Sequence, residues 1–260
     1  MTRFPITTLN PIDKPMPFRK SLPFTLPFAK LRECRTMQLA VLALSAIGFL
    51  SQSSSAGAAA EPEVVVIFGD SITAGSKLEP GELSQLWVLQ VEAQSKGTLH
   101  TVNEGKGGRP TDSLGEFGEM LKRQPKADLL VIALGGNDAR DTSGKCVPNA
   151  LKNLEAMILR ARKTYGAKLP ILLVGPTNIR KDALGPSKPI ADQREANLLA
   201  LNAAYPELAK TENCAFVSLY GVLPKAGLGL DGVHPDAAGH DEITKVMLPA
   251  IARAAGVKVD

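Results

Sequence analysis

The 260-residue chain is poor in the residues that usually announce a cofactor or metal. It holds 3 Cys, and only Cys146 and Cys214 lie beyond residue 60. No Cys/His cluster has the spacing of a zinc site. Phosphate-binding signatures are missing too. In "VVVIFGDSITAGSK" (64–77) the glycines Gly69 and Gly75 are too far apart for a G-x-x-x-x-G-K-[ST] loop, and Ser76 precedes Lys77. Asp70 would also set a carboxylate beside the anion. No G-x-G-x-x-G is present. These absences leave no cofactor and no metal to expect. Aromatics make up 5% of the chain with 1 Trp, which argues against a broad stacking platform for sugars. The N-terminal apolar run "QLAVLALSAIGFL" (38–50) is shorter than the roughly 20 residues that span a bilayer.

That run has basic residues before it (Lys30, Arg32, Arg35) and small ones after it, with Ala58 and Ala60 in an A-x-A pattern. Basic, apolar and small in that order is a secretory signal, with an uncleaved anchor as the alternative. Residues 1–60 are therefore read as a leader, with Met16 or Met37 as possible true starts, and 61–260 as an exported domain, periplasmic or secreted. The leader carries seven of the 30 Lys and Arg and two of the 26 acids, which leaves 61–260 at a net charge of −1. No basic cluster remains that would favour nucleic acid, and no membrane span is expected after cleavage. Cys146 and Cys214 could pair in an oxidising compartment; two separate buried thiols is the preferred reading.

From residue 61 onward, apolar β-branched runs at 63–68, 129–134, 170–175 and 214–219, with a weaker one at 98–102, have the length of buried strands. Helical patterns fall between them at 82–95, 112–123, 148–165, 190–211 and 237–255. In the third, Leu151, Leu154, Ile158 and Leu159 are read as one face. Alternating strands and helices predict one α/β domain of about 200 residues, a parallel sheet with helices on both faces. Such sheets bind ligands outside the carboxyl ends of their strands.

The informative turns all fall at that edge. Ser71 follows the first strand. A serine there is a weak nucleophile until a base takes its proton. Of the 3 histidines, His234 has a carboxylate, Asp231, in its own loop, "LDGVHPDAAGH". A carboxylate on Nδ1–H fixes the tautomer and stabilises the imidazolium. Donors for an oxyanion are available in the Ser71 N–H, the glycines of "VNEGKGGRPT" (102–111) and the Asn137 amide in "ALGGNDAR" (133–140). Each piece also has a plainer reading. "GDS" could cap a helix, "GGND" could be an ordinary turn, and "DGVHP" could carry an exposed histidine. Asp70 is expected to hold its turn. Arg109, Thr111, Asp138 and Arg140 are expected to shape loops, and His100 and His240 to be surface or capping residues. Trp87 is read as core. Segments 76–88 and 176–192 are candidate substrate rims.

Four blocks in order resemble the SGNH/GDSL hydrolases: "FGDSITAG" with Ser71, "NEGKGG" with Asn103 and Gly108, "GGND" with Asn137, and "DGVHP" with Asp231 and His234. They cover about residues 62–255. The resemblance implies a flavodoxin-like three-layer α/β/α sandwich with a mostly five-stranded parallel sheet. It implies a Ser71–His234–Asp231 triad and an oxyanion hole from Ser71 N–H, Gly108 N–H and Asn137. Residue 73 is Thr, so the G-x-S-x-G elbow of the α/β hydrolases is absent. The small exported thioesterase I, lysophospholipase L1 and arylesterase group looks most similar, although "GGND" and "GGRPT" depart from its usual wording. The expected activity is hydrolysis of short or medium acyl esters by a monomer acting on a small-molecule or glycan ester. Carbohydrate O-acetyl hydrolysis, acyl transfer with the same triad, and a non-catalytic ligand-binding module are the alternatives.

Overall fold

The computed structural model describes residues 61–259. The leader, its signal and its possible starts lie outside the described residues. Five strands, β1 (Glu63–Gly69), β2 (Leu99–Gly105), β3 (Leu129–Ala133), β4 (Ile171–Gly175) and β5 (Ala215–Ser218), form one sheet in the order β2-β1-β3-β4-β5. Every pairing is parallel. The expected three-layer fold is what forms.

Helices cover both faces, so the central strands are apolar on both sides. In β1, Val66 and Phe68 point into one core layer, where α3 (Leu114–Arg123), α4 (Cys146–Tyr165) and α5 (Ala191–Thr211) pack. Val65 and Ile67 point the other way, against α2 (Trp87–Gln94) and α6 (Ala237–Ala255). Phe68 meets Phe117 edge to face, with ring centroids 5.0 Å apart. Burying one such side chain stabilises the fold by about 1.5–3 kcal/mol.

The strand order reverses at β1, which puts the topological switch between β1 and β3. Register sharpens this. Gly69 at the end of β1 is level with Gly105 of β2 and Ala133 of β3. The turns after these three strands therefore emerge side by side.

Local departures have local causes. The pattern at 82–95 is not one helix. Pro80–Gln85 is a 3-10 turn started by a capping box between Glu79 and Glu82, and Leu86 then turns extended (ψ 125°) before α2 begins. Leu86 is buried, so the break serves the core. In α4 the buried face is Ala150, Leu154, Met157, Ile158 and Ala161, while Leu159 is 56% exposed. Leu159 follows Ile158 by about 100° of helix rotation, enough to carry it off the stripe. The weak run at 98–102 is a full strand, because its backbone pairs along the whole of β1. Trp87 is core, and Cys146 and Cys214 are separate thiols.

His240 overturns its expected surface role. It is fully buried in α6, its Nδ1 accepts the Trp87 N–H at 3.5 Å, and its Nε2 has no partner among the described residues. Burial, with the His234 charge in the same direction and the Asp236 and Asp241 charges against it, lowers its pKa to about 4. An unfolded histidine binds its proton below about pH 6.5. Unfolding therefore takes up a proton between about pH 6.5 and 4, and stability falls as pH falls through that window and is unaffected above it. Unfolding free energies from urea melts between pH 8 and 4 should drop for the wild type, by up to about 3 kcal/mol from this group. His240→Asn, which keeps an acceptor for Trp87, should show a shallower drop.

Candidate active site

β1 ends at Gly69 and the chain turns at once into a four-residue helix, α1 (Ser71–Ala74). Asp70 is its N-cap, with its carboxylate accepting the Ile72 N–H at 3.0 Å. The plainer, capping reading of "GDS" therefore holds for Asp70, as does its expected part in fixing the turn, and it sets Ser71 at the first helical position, where the N–H has no partner inside the helix. The Ser71 hydroxyl makes no hydrogen bond to another described residue. Burial pushes the Asp70 carboxyl up to about 6, helped by the Asp138 charge and opposed by the Ile72 bond and the His234 and Arg109 charges.

The second loop clamps this turn. Asn103 donates its amide to the Thr73 carbonyl at 2.9 Å and accepts the Gly105 N–H at 2.8 Å. Gly105 is required at that point because a Cβ there would lie 2.4 Å from the backbone nitrogen of Ala74. Arg109 does more than shape its loop. Its buried guanidinium lies 4.0 Å over the Phe68 ring and donates to the carbonyls of Gly69, at 2.8 Å, and Glu104, while Nε donates to Glu116 at 3.0 Å. Its own carbonyl accepts the Asn137 amide at 3.1 Å, which leaves one amide proton of Asn137 free. Asp138 accepts the N–H and hydroxyl of Thr111, tying the third loop to the second. Burial raises the Asp138 carboxyl despite these bonds.

Asp231 and His234 meet as expected. The Asp231 carboxylate is 2.6 Å from His234 Nδ1 and accepts the N–H groups of Val233 and His234 at 3.0 Å. Burial alone would raise this carboxyl. The backbone and ring bonds from His234, the Val233 N–H and the ring charge together lower it to about 2. The loop is held from outside by Arg180, whose backbone N–H donates to the Gly232 carbonyl at 2.8 Å. Gly232 has a φ of +69°, and a Cβ there would lie 2.4 Å from the Arg180 carbonyl oxygen.

Ser71, Asn137 and Val233 line one recess with a cavity volume of about 20 Å³. Asp231 and His234, the latter next to Val233 in the chain, line a second groove with Lys77 and Glu79. Ser71 and His234 are not hydrogen-bonded to each other; such bonds commonly tighten only around substrate. Gly108 lies in the second loop at a φ of 75° and does not line the recess. On the other side of Asn137 a wider polar groove holds Asp112, Arg140, Asn149 and Lys152. From the proposed rims, Lys77 and Glu79 reach one groove and Thr177 and Ile179 reach the recess. His100 stays at the surface beside Glu92, as expected.

One lining residue has no counterpart in the sequence reading. Arg194 of α5 is 2% exposed and faces the recess with Arg140. Burial lowers its pKa to about 10, with the Arg140 charge in the same direction and the Asp70 and Asp231 charges against it. A signal was present: Arg194 is in phase with Leu198, Leu201 and Tyr205, all buried in α5. A basic residue on an apolar stripe marks a charge turned inward.

A family model for the GDSL-like Lipase/Acylhydrolase family matches residues 67–242, which contain all of this geometry. The chain belongs to that family. It is a carboxylic ester hydrolase. No curated protein matches it in sequence. Solved structures share the fold. A carbohydrate acetylesterase family member from Sinorhizobium meliloti superposes with a TM-score of 0.63 at 20% identity, over 75% of this chain and 100% of that one. A protein assigned as an arylesterase from Agrobacterium tumefaciens str. C58 gives 0.61 at 22%, over 74% and 99%. A mutant of an acetyl-xylooligosaccharide esterase from Geobacillus stearothermophilus gives 0.56 at 21%, over 75% and 95%. Among the described residues no helix is long and apolar enough to cross a membrane, and no acid, His or Cys cluster could hold a metal.

Two substitutions test how the turns are held. Arg109→Lys cannot keep the forked contacts with one ammonium. It should cost about 2–4 kcal/mol of stability in chemical denaturation and lower ester kcat by at least about tenfold. Gly105→Ala should push α1 off β2, costing about 1–3 kcal/mol and moving Ser71; wild-type stability and activity in this variant would show that the contact yields.

Proposed function

We propose that the protein is an exported serine esterase that cleaves short-chain carboxylic esters with Ser71 as nucleophile, His234 as general base and acid, and Asp231 as its partner. The observation that carries this reading is the 2.6 Å bond from Asp231 to His234 Nδ1, in a loop whose Val233 shares a recess with Ser71 and Asn137. A carboxyl lowered to about 2 stays charged at any pH where the enzyme would work. It therefore keeps the proton on Nδ1 and leaves Nε2 free to accept.

In the first step Ser71 Oγ bonds to the carbonyl carbon as its proton passes to His234. The carbonyl oxygen becomes an oxyanion, received by the Ser71 N–H and the free proton of the Asn137 amide, with the Gly108 N–H, which lies outside the recess in the second loop, joining them only if that loop turns inward around substrate. Collapse breaks the bond to the alcohol, which takes the proton from His234. Water then gives its proton to His234 and attacks the acyl-Ser71, and the acid leaves with Ser71 reprotonated. The recess at Ser71 is small, about 20 Å³, which favours short acyl chains over medium ones.

The polar groove beside Asn137 supports a second reading on the alcohol side. Asp112, Asn149, Lys152 and Asn153 offer hydrogen bonds to a hydroxylated alcohol, as in an O-acetyl carbohydrate. Transfer of the acyl group to such an alcohol uses the same chemistry. Export rests on the basic, apolar and small-residue order of residues 30–60.

The test is turnover of 4-nitrophenyl esters from acetate to decanoate. Acetate should be fastest. Ser71→Ala should remove measurable turnover, Asn137→Ala should lower kcat by roughly 10²–10³, and Asp231→Asn by roughly 10³–10⁴ through the wrong tautomer. Wild-type rates in Ser71→Ala would end the serine mechanism.

A further inference from the structure

Arg194 stands out among the buried groups that this chemistry does not use. Its guanidinium has five donors. Among the described residues the protein engages it only through a long contact, 3.4 Å, from Nη2 to the Gly136 carbonyl, and Nε is buried without a partner. It forms no ion pair there, and neither does Arg140, which lines the same recess. Nearby acids are already engaged. Asp231 holds His234 and two backbone N–H groups, and Asp70 caps α1 through Ile72. A buried guanidinium without an anion is costly, and a second cation beside it adds repulsion. An anion between them would relieve both.

We propose that Arg194 and Arg140 form a carboxylate-binding subsite, so that the preferred ester carries a carboxylate a few bonds from its reacting carbonyl. This rests on the esterase reading above. The fork of a guanidinium matches two coplanar carboxylate oxygens. Ile72, Ile179 and Leu198 give the recess an apolar side, which strengthens such a pair by excluding water. The Asp70 carboxyl also lines it and opposes a second anion when charged, but burial has pushed that carboxyl up to about 6, so it takes a proton more readily than an ordinary aspartate. Arg140 also reaches the wider groove beyond Asn137. The carboxylate could therefore sit on the acyl side, as in a half-ester of a dicarboxylic acid, or on the alcohol side, as in an acylated hydroxy acid.

The experiment compares kcat/KM for four esters with the full domain. 4-Nitrophenyl hemisuccinate against 4-nitrophenyl butyrate tests the acyl side. 4-Acetoxybenzoate against its methyl ester tests the alcohol side. One of these anionic-to-neutral ratios should be well above that for spontaneous hydrolysis. It should fall at least tenfold in Arg194→Met and in the exposed variant Arg140→Met, and Arg194→Lys should restore part of it. Free succinate should inhibit the wild type competitively at concentrations where succinamide does not, a readout that stands even if Arg194→Met fails to fold. Turnover of the neutral esters with both ratios unchanged in the variants, and no inhibition by succinate, would overturn the subsite and leave the esterase standing. No turnover of any of the four esters by the wild type would overturn both.

Discussion

The guanidinium of Arg109 is the fastening on which the site depends. It lies 4.0 Å over the Phe68 ring, bonds the Gly69 carbonyl at the end of β1 and the Glu104 carbonyl next to the end of β2, and reaches Glu116 in the first turn of α3. Parallel strands leave their last carbonyls unpaired where they diverge into loops, and buried carbonyls need donors. The Gly69 carbonyl accepts both the Lys106 N–H and the Arg109 guanidinium, and the same planar cation also bonds the Glu104 carbonyl, which ties the first two loops together. Its backbone carbonyl then takes one amide proton of Asn137, which orients the third loop as well. The candidate nucleophile and its candidate oxyanion donor are thus positioned by a residue that touches neither reacting atom.

Three carboxylates near the recess differ in environment, and the differences follow from their partners. Asp231 accepts three hydrogen bonds, two from backbone N–H groups and one from a ring, and is held about as low as a carboxyl goes. Asp70 accepts one, sits fully within the fold and rises to about 6. Asp138 accepts from Thr111 yet still rises because it is buried. Only the first suits a permanent anion behind a histidine. The other two act as fasteners of turns, and their raised values are the cost of that burial.

Much of the fold could be read from the chain because its causes are local. β1 announces itself by β-branched residues buried on both faces, and α6 by Asp236 at its start and Gly256 at its end. Asp231 and His234 were legible for the same reason, since one short loop carries both side chains. The break at Leu86 and the outward Leu159 were not legible, because core shape and not periodicity decides them. His240 misled through its polar character; its place inside α6 depends on α2 packing against it.

What the sequence by itself determined is the alternation of strands and helices, the parallel sheet, and the short-range chemistry of the Ser71, Asn137 and His234 turns. Tertiary structure alone decided how these turns face one another. The strand order places β1 between β2 and β3, and the level register of Gly69, Gly105 and Ala133 brings the three turns together. It alone turned Arg194 inward to the recess, 123 residues along the chain from Ser71. The physical reason is range. Periodicity, caps and short loops are written within a few residues. A buried cation beside a candidate nucleophile is a contact between distant elements, which exists only once the core has set their separation.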